Sequence, residues 1–194
     1  MTNYVRQREQ FLDNYGPQNE AQNETNCANV YKMFFDDQLL ELIMSETNTY
    51  ASQKIHARGF ISLRSRMREL KPATTDEMYV VLAHFMLMGI IQKHTLRSYF
   101  SKNYNLPTPN FGMDRFESIC NFMHFNNNDH VGIYQGASKI FKIYPVLSYL
   151  NTNFQSLYLP GHNIVIDESL TLCRGRLFSN SISPKVFQIW NKVI

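Results

Sequence analysis

Residues 162–176, HNIVIDESLTLCRGR, hold the residue types in this chain best suited to chemistry. Ile164, Val165 and Ile166 run straight into Asp167 and Glu168, and a second apolar run leads to Arg174-Gly175-Arg176. A carboxylate at the end of a short buried strand has a rigid support that opens into a cleft, where catalytic acids are often held. Spacing alone leaves a second reading open, an aspartate that begins a turn. Side chains alternate along a strand, so Glu168 is expected on the face opposite Asp167, and the two acids need not share one metal. Arg174 and Arg176 flank a glycine suited to a hairpin turn. They are either solvated turn charges or donors for phosphate oxygens.

The stretch 58–71, RGFISLRSRMRELK, carries five bases (Arg58, Arg64, Arg66, Arg68 and Lys71) against one acid, with the same two readings open. His84 lies in an apolar run and reads as a hydrogen-bonded core histidine rather than a ligand. His124 and His130 flank an Asn-rich loop with Asp129, but no third ligand stands at zinc spacing. There is no P-loop, GxSxG or HExxH. Cys27, Cys120 and Cys173 are far apart and odd in number, which points to a reducing compartment.

These groups need a scaffold, and 194 residues at 44% hydrophobic content suffice for one good core. The net charge of +3 is unevenly spread. Residues 1–50 carry eight acids and three bases, a net of −5; residues 51–194 carry sixteen bases and eight acids, a net of +8. A basic body permits a polyanionic partner without demanding one. The N-terminus shows no apolar signal core. The longest apolar run, Met78 to Ile91, is interrupted by His84 and is short of the ~18–20 residues that span a bilayer. A soluble intracellular protein is expected, with no membrane partner and no evident small-molecule substrate.

The hydrophobic period sets the elements. Residues 1–29, rich in Asn, Gln and Glu, bury too little to offset their ordering entropy and read as a flexible acidic leader. Phe35, Leu39, Leu42, Ile43 and Tyr50 return to one helical face, with Asp36 as the cap. Thr74 and Glu77 form a capping box before Met78, Val81, Leu82, Phe85 and Met88, a helix apolar nearly all round and expected to be the most deeply buried. Gly89, near its end, suits close packing or a break. A helix is predicted over 112–124 through Met113, Phe116, Ile119, Cys120 and Met123. Another is predicted over 138–157 through Ile140, Ile143, Val146, Leu147, Leu150 and Phe154, with Pro145 as a kink or first-turn residue. At Pro160-Gly161 the period shifts towards two, so strands are expected only after Pro160: Ile164–Ile166, Leu170–Cys173, Leu177–Phe178 and Val186–Trp190.

Three blocks together resemble the piggyBac family of transposases. The first, FFDDQLLELIMSETNTYASQK, is similar to a family helix ending in Thr-Asn-x-Tyr-Ala, here Thr47, Asn48, Tyr50 and Ala51. The second joins TTDEMYVVLAHFMLMGIIQK to DRFESICNFMHFNNND, with Met88, Gly89, Arg115, Phe116, His124 and Phe125 at the matching places. The third, KIYPVLSYLNTNFQSLYLPGHNIVIDESLTLCRGR, resembles the approach helix, Pro-Gly break, Asp-Glu strand and Gly-Arg turn. The likeness runs from about residue 31 to about 187.

The resemblance implies a mainly α chain: a leader over 1–29, a helical dimerisation and DNA-binding-type domain over 30–160, and over 161–194 the incomplete start of an RNase H-like α/β sheet. It makes Asp167 the first acid of a catalytic triad that binds two divalent ions, usually Mg²⁺, for phosphoryl transfer. The other two acids are absent: 27 residues follow Asp167 and none after Glu168 is acidic. The tail SNSISPKVFQIWNKVI also departs from the family pattern after Pro184 and Lys185, since QIWNKVI lacks the expected glycine. The expectation is therefore a truncated or degenerate transposase, inactive as this chain and binding no stable Mg²⁺. Its partners would be DNA, bound nonspecifically through Arg58, Arg64, Arg66, Arg68, Lys71, Arg174, Arg176 and Lys185, and a second copy in a homodimer. Its location would be the nucleus. The alternatives are a domesticated DNA-binding or protein-interaction module, and a fragment of a longer active enzyme.

Overall fold

The helix at the centre of the fold is set at its start by one side chain. Asp36 takes an extended conformation and its Oδ1 accepts from the Leu39 N–H at 2.8 Å, capping α2 (Asp37–Arg58). Its last turn ends at Gly59, whose φ of +62° is a conformation that favours glycine, and whose N–H returns to the His56 carbonyl. The structure, a computed structural model, describes residues 15–60, 65, 67, 70–101, 111–136, 140–161 and 163–164.

The other helices are α1 (Cys27–Phe34), α3 (Thr75–Ile90), α4 (Leu96–Tyr99), α5 (Met113–Phe122) and α6 (Tyr144–Leu157). Single 3₁₀ turns occupy Asn19–Gln22 and Asn128–Gly132. The two-residue strands β1 (Gly16–Pro17) and β2 (Tyr158–Leu159) pair. Residues 17–158 form one compact unit; of a second, made of 1–16 and 159–194, only 15–16, 159–161 and 163–164 are described.

Inside the first unit, α2 packs on α3, α5 and α6, and α1 packs on α6. Leu39, Leu40 and Ile43 of α2 meet Met78 and Val81 of α3 and Phe116 and Ile119 of α5, with Ala73 closing the cluster. Val146, Tyr149 and Leu150 of α6 pack against its edge. Full burial of such side chains contributes about 1.5–3 kcal/mol each, so this cluster is the main source of stability.

The predicted helices are present, with corrections. The chain is mainly helical, and the Thr74/Glu77 capping box forms with both reciprocal bonds, at 3.3 and 3.0 Å. α6 begins at Tyr144 rather than near 138, because Pro145 occupies its first turn and Ile140–Ile143 form turns before it. The expectation that Met78–Gly89 is among the most buried segments holds on one face, where Met78 and Val81 are fully buried, but α3 is not buried all round. Met78, Val81 and His84 are buried, but Phe85, Met86 and Ile90 are 42%, 52% and 79% exposed. α2, amphipathic and central, buries more of its length: Leu39, Leu40, Ile43, Thr47 and Ala51. A Cβ at Gly89 would meet nothing within 4 Å, so close packing does not explain this glycine.

The described strands, Gly16–Pro17 and Tyr158–Leu159, lie before Pro160 and not after it. The strands expected beyond residue 164 fall outside the described residues. The end of the stretch read as leader holds regular structure. Glu24 accepts from Asn26 N–H at 2.7 Å and Asn29 Nδ2 at 2.9 Å, Asn26 caps α1, and Gln18 N–H bonds the Leu157 carbonyl at 2.8 Å. Polar side chains supply here the ordering contacts that composition alone does not reveal.

Candidate nucleic-acid interface

The residues that carried the family likeness turn out to tie the helices together. Thr47 Oγ1 accepts from His124 N–H at 3.2 Å and donates to the His124 carbonyl at 3.4 Å, both buried. The Asn48 side chain pairs with both backbone groups of Ala73, accepting at 2.7 Å and donating at 3.0 Å. Tyr50 stacks on the His124 ring, centroids 4.1 Å apart and planes 5° from parallel. Ala51 is buried. Thr-Asn-x-Tyr-Ala is thus one face of α2 stitched to the segments that precede α3 and follow α5.

Arg115 does the same between α5 and α3. Its guanidinium makes a bidentate pair with Glu77 at 2.8 and 2.7 Å and also donates to the carbonyls of Lys71 and Pro72. That hydrogen bonding holds the Glu77 carboxyl below its usual range. The exit of the basic connector is therefore fixed to the start of α3.

These ties leave a groove between the C-terminal half of α2, the described connector residues and α5. It encloses about 430 Å³. Tyr50, Lys54 and Arg58 line one wall, each a helical turn after the last, and Glu117, Ser118, Asn121 and Phe122 line the other. Lys54 Nζ stands 5.3 Å from the Tyr50 ring centroid, and Arg58 Nη1 lies 3.1 Å from Met67 Sδ. Among the described residues neither cation has a carboxylate within bonding distance.

Of the residues expected at a site, Arg58 lines this groove and is exposed. Lys71 is exposed, and its backbone carbonyl serves the Arg115 clamp. Arg64, Arg66, Arg68, Asp167, Arg174, Arg176 and Lys185 lie outside the described residues. Lys54, Tyr50 and Phe122 were missed. The Tyr50/Lys54/Arg58 spacing was a visible signal, but only the packing of α5 makes a groove of it.

His84 is a core histidine, 4% exposed, between the rings of Phe100 and Phe116 at 5.0 and 5.5 Å. The hydrogen-bonded reading needs correcting, since its Nε2 is buried without a partner. Burial pushes its pKa down, because the charged ring would be poorly solvated. Among the described residues no three His, Cys, Asp or Glu side chains converge on a metal-sized space, and no helix is long and apolar enough to cross a membrane.

Residues 26–191 match the family described as Transposase IS4. Human PiggyBac transposable element-derived protein 2 is 27% identical over 136 residues, which cover 68% of this chain and 20% of the relative. A solved piggyBac transposase, determined as a synaptic complex with hairpin DNA, shares the fold with a TM-score of 0.67 at 18% identity. That match covers 84% of this chain and 34% of the transposase. The chain thus spans about a fifth of the human relative and about a third of the solved one. With its helical order, its stitched signature residues and a family match over most of its length, the chain belongs to the Transposase IS4 family and, within it, to the piggyBac transposases.

Proposed function

We propose that residues 17–158 are a DNA-contacting helical module of a piggyBac-type transposase, and that the groove between α2 and α5 is part of its DNA face. The observation that carries this is the pair Lys54 and Arg58, one turn apart on α2 and without carboxylate partners among the described residues. In sequence, Arg64, Arg66, Arg68 and Lys71 follow Arg58 within fourteen residues. Such a surface binds phosphates through released counterions, so affinity is weak, salt-sensitive and largely independent of sequence. The solved relative, determined with hairpin DNA, supports the reading by likeness of fold.

The test is fluorescence anisotropy of the 194-residue protein with labelled duplex DNA across a salt series. Binding at low salt that weakens steeply with added salt, and whose salt slope falls in the Lys54→Ala/Arg58→Ala double variant, supports the module. No binding at low salt sinks it.

We propose further that residues 161–194 open an RNase H-like sheet with Asp167 as its first acid, and that the 194-residue polypeptide alone neither nicks nor joins DNA. A divalent pair in this family's chemistry activates the attacking oxygen and stabilises the leaving one. A single aspartate, with Glu168 expected across the pleat, is too small a donor set for two such ions, so no step is assigned to them. An excision assay with Mg²⁺ or Mn²⁺, comparing the protein with Asp167→Ala, decides it. Cleavage that vanishes in the variant would overturn this part. Work in DNA implies a nuclear location, which imaging of the tagged protein tests.

A second reading, a protein-interaction module, draws on the exposed Phe85, Met86 and Ile90 of α3. It takes precedence if DNA is not bound.

A further inference from the structure

We propose that residues 16–19 form a releasable clasp on the end of α6. Closed, the clasp fixes where the helix stops and how the chain leaves it on its way, in sequence, to Asp167. Open, it frees that exit while the helical core stays folded. The last four carbonyls of a helix have no partners inside it. At the end of α6 two of them are met from the far end of the chain. Asn19 Nδ2, 137 residues before its partner, donates to the Ser156 carbonyl at 2.8 Å. The Gln18 N–H donates to the Leu157 carbonyl, also at 2.8 Å. The helix brings no such donors of its own, for its last turn holds no basic side chain and its C-cap is the extended Tyr158. Pro160 keeps the helix from running on but has no N–H to give.

The clasp is shaped for this task. Gly16 has a φ of +114° and Asn19 a φ of +50°, two left-handed conformations on either side of Pro17 and the extended Gln18. Glycine and asparagine are the residues that take such conformations most readily. Its hold is nevertheless light. No side chain of residues 17–22 is buried, and the Asn19–Ser156 bond is exposed. α6, by contrast, is anchored through Val146, Tyr149 and Leu150 at the core and through Phe154 against the Phe34 ring at 4.7 Å. A segment held by hydrogen bonds without apolar burial opens far more often than the unit it rests on.

The experiment is native-state amide exchange, read by NMR on the full 194-residue protein through a series of low urea concentrations. The Gln18 amide should exchange faster than those of Ile43 and Val81 in the core. Its rate should depend little on urea, because opening the clasp exposes little surface. Gly16→Ala strains the backbone and costs no contact, since a Cβ there meets nothing within 4 Å. It should speed Gln18 exchange about tenfold. Asn19→Gly removes the donor to Ser156 without straining the backbone and should speed it about fivefold. In both variants the Tyr158 amide, bonded to the Phe154 carbonyl, should quicken with Gln18. The Leu147 amide, bonded to the Ile143 carbonyl at the other end of α6, should not change, nor should Ile43 and Val81.

Exchange of Gln18 at the rate and urea slope of Ile43 overturns the proposal, because the segment would then open only with the whole unit. Quickening of Gln18 with Tyr158 unchanged overturns control of the helix end. Quickening of Leu147 and Ile43 together with Gln18 in both variants shows that no separate clasp exists.

Discussion

Asn48 and His84 show how a single side chain can matter without touching a ligand. Asn48 satisfies both backbone groups of Ala73, where the chain turns into α3. Removing it in Asn48→Ala leaves a part-buried N–H and C=O without their partner, at a cost of about 1–3 kcal/mol in a urea titration. An unchanged midpoint would mean that water replaces the amide fully. His84 gives a pH signature. Its folded-state pKa lies below the unfolded value of about 6.5, so the unfolded chain binds more protons as pH falls through that value. Stability should be full above about pH 6.5 and decline on acidification towards the lower folded-state pKa. In His84→Phe that decline should shrink, measured as denaturation midpoints across pH; an identical slope in the variant would assign the effect to other groups.

At the scale of elements, the junction of connector, α3 and α5 rests on Thr74, Glu77 and Arg115. Thr74→Ala removes one half of the capping box and should cost about 1 kcal/mol in thermal or chemical unfolding. Because the Arg115 hydrogen bond lowers the Glu77 pKa, this contribution is present above the ordinary carboxylate range and lost as pH falls through the lowered value. Arg115→Ala should flatten that acid limb. The helices legible in the sequence were those whose caps and period agreed: Asp36 before α2, Thr74 with Glu77 before α3, and the Phe116/Ile119 repeat in α5. α1 and α4 were not legible. α1 depends on local bonds among Glu24, Asn26 and Asn29. α4 is only four residues long and is held by Tyr99, whose hydroxyl bridges the Ile91 carbonyl and the Lys93 N–H. In the candidate site Arg58 stood out by charge. Lys54 did not stand out, because the facing wall on α5 comes from a distant part of the chain.

For the molecule as a whole, hydropathy said that α3 is apolar on several faces but could not say what covers them. The outcome is an uncovered patch at Phe85, Met86 and Ile90 on a helix otherwise anchored in the core. Met86→Glu with Ile90→Lys should leave unfolding free energy within about 0.5 kcal/mol, since neither side chain is buried. Self-association at high concentration should fall, as read by sedimentation velocity. A large loss of stability would show that these side chains are packed in solution.

The position of Tyr50, Lys54 and Arg58 on the same helix as Leu39, Leu40 and Ile43 makes rotational phase a property of the site. An α-helix advances about 100° per residue, so one residue inserted after Ser52 would swing Lys54 and Arg58 round the axis while Leu39 to Ala51 keep their seats. The cations would leave the wall facing α5, and Gln53 would lose its place beside Asn127 and Asp129. Such a chain would keep its core yet present its charges to the wrong side, as a key whose teeth are cut one notch out of turn.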